Sequence, residues 1–190
     1  MRLGDVCKNV QYGLSVPLSL DGKGYKTFRM NEISDGKCVD NGKMKYANIT
    51  DKEFKRYQLI DKDILFNRSN SFEHVGRTGI FTLSGKYCFA SYLIRLSINQ
   101  DLANPVFVNA FMNSDNFQQG IKSFASRAIG QSNINAKNLM AYTIPLPPLA
   151  IQREIAASIE AERKIIEGCR ELSAKYKAKI KKLVDGAWGE

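Results

Sequence analysis

Thr143-Ile-Pro-Leu-Pro-Pro-Leu-Ala-Ile-Gln-Arg-Glu-Ile-Ala156 marks a sharp boundary between a folded body and a single long helix. Proline has no amide donor and clashes with the preceding turn, so Pro145, Pro147 and Pro148 cannot sit inside a helix. Pro147 and Pro148 can lead directly into a first helical turn, where their fixed φ costs nothing. From Leu149 to Val184 there is no further proline and one glycine, Gly168. At 1.5 Å per residue this stretch predicts a rod of about 54 Å. A rod that long, beside a body of about 150 residues, implies contact with something besides its own domain.

The helix carries a narrow apolar stripe. Ile151, Ile155, Ile159, Ile166, Cys169, Leu172, Tyr176, Ile180 and Leu183 fall about 3.6 residues apart, with Glu162 in one slot. Charge divides along the same helix. Residues 149–169 hold three basic and four acidic side chains, and residues 170–182 hold six basic against Glu171 alone. Acid early and base late suit the helix dipole. The same asymmetry makes two antiparallel copies complementary, whereas parallel copies would bring their lysines together. Antiparallel pairing into a homodimer is the expectation.

The body reads as strands first and helices later, an α+β arrangement. Tyr25–Met30, Ile64–Phe66, Thr78–Leu83 and Tyr87–Leu96 have strand character. Turn residues cluster at Asp35-Gly36, Asn41-Gly42 and Asn48. Asn104-Pro105 is a good cap and first residue of a helix, and a second helix is expected from Ser114 or Asp115. Asn135 is expected to cap the turn that leads to the proline boundary. Phe28, Phe66, Phe81, Phe89, Phe107 and Phe111 fall on core faces.

The formal net charge is +9, and 44% of residues are hydrophobic, enough for a real core. Residues 1–148 carry 19 Lys/Arg against 12 Asp/Glu, so most of the excess lies on the body and points toward a polyanion. Cys7, Cys38, Cys88 and Cys169 lack metal-knuckle spacing and read as free thiols. No run approaches the length of a membrane span and the N-terminus has no apolar signal core, so a cytoplasmic protein is expected. There is no Gly-x-Gly cofactor loop after a strand and no Gly-Lys-Ser/Thr nucleotide loop. His74, the one histidine, reads as an exposed loop residue, which leaves a catalytic triad or a metal centre little material. Asp51, Glu53 and Lys55 read as a solvated helix face rather than a nuclease site. No cofactor and no metal are expected.

Several segments together resemble the specificity subunit of type I restriction-modification systems. They are Leu3-Gly-Asp-Val6, Asp61-Lys-Asp-Ile-Leu-Phe-Asn-Arg-Ser-Asn-Ser71 with Val75-Gly76, Gly130-Gln-Ser-Asn-Ile-Asn135, and Ile144-Pro-Leu-Pro-Pro-Leu149 leading to Gln152. The resemblance implies an α+β target recognition domain, residues 1–146, and a spacer and dimerisation helix, residues 147–190, that pairs as an antiparallel coiled coil. It implies no chemistry in this chain. Its partners would be double-stranded DNA, a subunit that methylates adenine, and a restriction subunit that cleaves DNA using ATP. The family's usual subunit carries two such units, each reading half of a split sequence. This sequence has one unit and one helix, so it resembles a half-size subunit, expected to dimerise and rebuild the two-unit arrangement; a portion of a longer subunit is the alternative. The alternative is an interaction module that binds partner helices without reading DNA.

Base reading needs Arg, Lys, Asn and Gln on base edges and further cations on phosphates. The densest cluster is Arg68, Ser69 and Asn70, although a family-wide segment also fits a role in shaping the fold. Lys26, Arg29 and Asn31 lie along or just past the early strand. Lys43 and Lys45 occupy a turn-rich loop, and Arg127 and Gln131 form a further candidate edge. The partner-binding set on the helix is Ile151, Ile155, Ile159, Ile166, Leu172, Tyr176, Ile180 and Leu183.

Overall fold

The computed structural model describes residues 1–128 and 131–187, with backbone alone for 126–128, 131 and 187. Residues from Met1 to Gln152 form one compact unit and those from Arg153 onward a second.

The chain opens with a 3-10 turn, Leu3–Val6, followed by β1 (Cys7–Tyr12), β2 (Leu18–Ser19) and β3 (Tyr25–Phe28). A second 3-10 turn, Met30–Glu32, leads to β4 (Ile33–Ser34), β5 (Lys37–Cys38) and β6 (Lys45–Ala47). Helix α1 (Asp51–Tyr57) precedes β7 (Ile64–Asn67), β8 (Ser69–Asn70), β9 (Thr78–Ile80), β10 (Tyr87–Phe89) and β11 (Leu93–Ile98). Then come α2 (Pro105–Met112), α3 (Asp115–Lys122), β12 (Ser126–Ala128), β13 (Gln131–Asn133), α4 (Ala136–Ala141) and α5 (Leu149–Ala187).

Among the described residues the strands form three sheets, in the orders β1-β11-β7-β9-β5-β4, β10-β3-β6-β2 and β12-β13-β8. Phe28, Leu65, Phe81, Phe89 and Leu93 pack one shared core between the first two sheets. The expected single strand from Tyr87 to Leu96 is in fact two, in different sheets, separated at Ala90-Ser91-Tyr92. Both pieces are buried on both faces, so neither carries the alternation that would have exposed the break. The expected early strand likewise ends at Phe28, because Arg29 caps the 3-10 turn.

The helix starts follow their capping residues. Asn104 Oδ1 accepts from the Val106 and Phe107 amides at 2.8 and 3.2 Å. Ser114 caps α3 and Asn135 Oδ1 accepts from the Asn138 amide at 2.8 Å. Gln131 and Asn133, in contrast, belong to strand β13. Phe111 is half-buried, edge-on to Phe117, while the other five core-assigned phenylalanines are buried. His74 is half-buried rather than exposed: its carbonyl accepts from Asn67 Nδ2, and its Nδ1 is buried.

Two devices fix the proline boundary to the body. The N-terminus pairs with the extended segment before it through an isolated antiparallel bridge between Arg2 and Thr143: the Leu3 amide donates to the Tyr142 carbonyl and the Ile144 amide to the Met1 carbonyl, at 2.8 and 2.9 Å. Gln152, 1% exposed, then holds the first turn of α5. Its Oε1 accepts from the Asn104 amide at 2.9 Å and its Nε2 donates to the Pro147 carbonyl at 2.8 Å. The Gln152 side chain thus completes the start of α2 as well as that of α5. Gln152→Ala is expected to cost about 2 kcal/mol by leaving two partly buried backbone groups unpaired, measured by chemical denaturation.

Candidate nucleic-acid interface

Segments far apart in sequence meet around an open cavity of about 500 Å³, lined by residues 14–18, Arg29, Met30, Asn31, Lys45 and residues 90–92. One wall exists because Gly13 lets two backbones close in. A Cβ there would lie 2.3 Å from the Ala90 carbonyl oxygen. With that space open, the Leu14 amide donates to the Phe89 carbonyl and the Ser91 amide to the Leu14 carbonyl, each at 2.8 Å. Three residues expected to touch DNA, namely Arg29, Asn31 and Lys45, therefore share one groove.

Their electrostatic states differ. Arg29 is clasped by Glu32, with Nε to Oε2 at 3.2 Å and a second nitrogen to Oε1 at 2.5 Å. Glu32 is 1% exposed, so this pair is built into the wall. Asn31 is exposed in the 3-10 turn. Lys45 is half-buried and Lys43 exposed, and neither has an ion-pair partner among the described residues. Asp40 and Asn41 shape the turn that carries Lys43, accepting from the Gly42 and Lys43 amides at 3.0 and 2.8 Å. Asp40 also takes Lys26 Nζ at 2.6 Å and the Tyr87 hydroxyl at 3.0 Å. The Lys26 hydrogen bond holds the Asp40 carboxyl below its usual range, and the Asp40 hydrogen bond raises the Lys26 ammonium. Lys26 thus already has an anionic partner within the fold.

The segment around Arg68 is built inward. One Arg68 nitrogen donates to Asn133 Oδ1 at 2.8 Å and another to the Ser91 carbonyl at 3.5 Å. The guanidinium stands 5.0 Å from the Tyr12 ring centroid. Its backbone donates to the Tyr92 carbonyl and accepts from the Ile134 amide. Ser69 is 3% exposed, and Asn70 is half-buried, pairing with Ser132 between β8 and β13. Arg68 therefore ties three segments of the body together, with its fork facing protein groups. Arg127 pairs through its backbone with Ser132, but the side chains of Arg127 and Gln131 lie outside the described residues.

Sequence reasoning did not reach Ser15, Ser91 and Tyr92, which line the groove, or Tyr12 beneath Arg68. Tyr92 is 45% exposed and Tyr12 43%. The Ser91-Tyr92 pair was hidden inside an apparent single strand.

On α5 the predicted stripe is largely open to solvent. Ile151, Ile155, Ile166, Leu172, Tyr176, Ile180 and Leu183 are all exposed, as are Ile165 and Val184, and Ile159 is half-buried. Among the described residues no helix is long and apolar enough to cross a membrane.

Residues 1–182 match the model of the type I restriction modification DNA specificity domain. The chain belongs to this family. It is 34% identical over 159 residues to a protein named as the MjaX type I restriction enzyme specificity subunit of Methanocaldococcus jannaschii. That match covers 82% of this chain and 37% of the relative. Identity to the EcoKI specificity subunit of Escherichia coli is 27% over 163 residues, covering 84% of this chain and 35% of that one. The matched region thus spans little over a third of these relatives' length. The HsdS subunit of Thermoanaerobacter tengcongensis superposes with a TM-score of 0.62 at 21% identity, over 96% of this chain and 41% of that one. A chain from a type I restriction-modification complex gives 0.65 at 21% identity, over 96% and 42%. The family's fold is therefore the α+β body followed by a long helix described above.

Proposed function

We propose that this chain is a non-catalytic, sequence-specific subunit that recognises double-stranded DNA for a type I restriction-modification system in the cytoplasm. It would position the adenine-methylating subunit and, through the assembled complex, the restriction subunit. The observation that carries this reading is the family match, which runs through both the body and most of α5. Residues 1–146 act as the recognition domain, and 147–190 as the spacer and dimerisation helix. Two copies paired through α5 would rebuild a two-unit reader and recognise an interrupted palindrome, since a two-fold axis presents the same surface to both half-sites.

Within the body, the groove bearing Asn31 and Lys45 and the adjacent Lys43 turn is the DNA-facing surface. An ammonium without an internal partner gains most from a phosphate, whereas Lys26 and Arg29 would first have to leave Asp40 and Glu32. The groove's polar side chains vary the contact without disturbing the core beneath. Arg68 and Ser69 are assigned to holding the surface in shape, with Asn70, Arg127 and Gln131 as flanking contacts.

Lys43→Ala with Lys45→Ala is expected to weaken DNA binding by about tenfold or more at moderate salt. It should also flatten the slope of log K against log salt by about 0.9 for each phosphate that the variant no longer neutralises. Duplex binding titrated across salt concentrations checks this. An unchanged slope would place the DNA on another face.

A further inference from the structure

The dimer reading leaves open how the two helices are aligned, and the residues of α5 constrain that choice. In an antiparallel pair related by a two-fold axis, each residue faces a residue of the second copy whose number completes a constant sum. We propose that the second copy docks on the exposed stripe of α5 in the register where facing residue numbers total 335, with the axis between Glu167 and Gly168. This proposal rests on the dimer reading above and adds its geometry.

Apolar matching in this alignment uses seven of the nine stripe positions, while Leu172 faces Arg163 and Leu183 faces Gln152. The total of 335 sets Ile155 against Ile180, Ile159 against Tyr176, Ile166 against Cys169, and Ile151 against Val184. Each pair lies on or beside the stripe. Leaving seven large apolar side chains of one stripe in water is costly, at roughly 25 cal/mol per Å² of apolar surface. A second identical stripe is the surface most closely matched to it in length and spacing.

Charge separates this alignment from its neighbours. The total of 335 also sets Glu154 against Lys181, Glu160 against Lys175, and Lys164 against Glu171, with Arg153 against Lys182 as the one like-charged pair. A slip of one helical turn toward the N-terminus, to 331, keeps apolar pairs such as Ile151 with Ile180 and Ile159 with Leu172. It brings Glu160 against Glu171, however, and leaves Leu183 and Val184 beyond the start of the partner helix. A slip the other way, to 339, sets Lys164 against Lys175, Glu154 against Asp185, and Cys169 against Arg170. Like charges facing each other are destabilising. The total of 335 sets three complementary pairs against one clash, 331 sets two (Glu154 with Lys177, Lys164 with Glu167) against one, and 339 sets two (Glu160 with Lys179, Glu162 with Lys177) against two.

The test is disulfide trapping in the full chain, with Cys169→Ser to remove the exposed native thiol. Ile155→Cys with Ile180→Cys places thiols opposite one another between copies. Within one copy they lie about 37 Å apart along the helix, too far to join. Mild oxidation should convert most of this variant to a covalent dimer that reductant dissolves. Ile151→Cys with Ile180→Cys, which reports the 331 register, should give at least tenfold less.

Light scattering on the same samples separates two failures. A dimer in which the variant reporting 331 traps better, or in which neither variant traps, overturns the register alone. A monomer overturns both the register and the dimer on which it rests. All four substituted positions, Cys169 included, are exposed, so the changes leave the body's packing intact.

Discussion

Arg95→Ala should destabilise the recognition unit by about 3–5 kcal/mol, the cost of leaving one partner of a buried ion pair alone. Arg95 is 8% exposed and Asp63 2%. One Arg95 nitrogen donates to the Gln58 carbonyl at 2.6 Å and stands 3.7 Å from Asp63 Oδ2. Another donates to Gln11 Oε1, and the guanidinium lies 5.4 Å from the Phe89 ring centroid. A single side chain on β11 thus joins β1, the segment after α1 and Asp63, the residue that leads into β7. Truncation leaves the Asp63 carboxylate buried with only the Ser97 hydroxyl, at 2.6 Å, and the Ile60 amide, at 3.0 Å. For a chain of this size, 3–5 kcal/mol corresponds to a melting temperature lower by roughly 10 °C.

The deficit should depend on pH. Burial raises the Asp63 carboxyl above its usual value, while the Ile60 amide, Ser97 and Arg95 act against that rise. Without Arg95 the carboxyl moves further up. A raised folded value favours the protonated form in the native state. That contribution is fully present below the unfolded value of 3.8 and is lost as pH rises through the folded one. The gap between wild type and Arg95→Ala should therefore narrow on acidification from neutral pH. Denaturant titrations at several pH values measure it. A gap that widens in acid would mean that Asp63 is not the group left uncompensated.

Ile155→Asp combined with Ile180→Asp should abolish dimerisation while leaving the body folded. Both side chains are exposed in the single chain, so its own stability should shift by no more than about 0.5 kcal/mol. By symmetry the dimer loses four apolar groups. At about 1.5–3 kcal/mol each, this totals at least about 6 kcal/mol, or more than a 10⁴-fold weaker association. Sedimentation or light scattering reads the oligomeric state directly. Site-specific methylation by the assembled complex should disappear with the dimer, whereas short-range DNA binding by the body should persist. A persisting dimer would mean that α5 is not the pairing surface.

The sequence was most informative where a residue acts on its immediate neighbours. Pro147 and Pro148 place the start of α5, and Asn104, Ser114 and Asn135 cap the helices they precede. The α5 stripe was legible because its period is a property of one uninterrupted element. Three features were not legible, for one physical reason. The break at Ala90–Tyr92, the groove from residues 14–18, 29–31, 45 and 90–92, and the Gln152 clamp all depend on tertiary contacts.

Arg29 is an instructive intermediate. Its partner Glu32 lies three residues along, a spacing visible in the sequence, yet only the 3-10 turn brings the pair together. Arg68 shows the opposite trap. A guanidinium in a polar, serine- and asparagine-rich segment looks like a base reader, but here Asn133 and Ser91 each take one of its terminal nitrogens, Tyr12 lies against its face, and its Nε is buried. Residue type alone cannot distinguish a fork that reads DNA from one that braces the surface doing so.

The most direct test is a methylation map. The chain would be co-expressed with its methylation subunit in a host that lacks DNA methylation, and modified adenines located by sequencing. The account predicts methyladenine at a single interrupted palindrome, read by two copies of this unit paired through α5. An asymmetric split site would contradict the homodimer, and a soluble, assembled complex that leaves the DNA unmodified would contradict the recognition function itself.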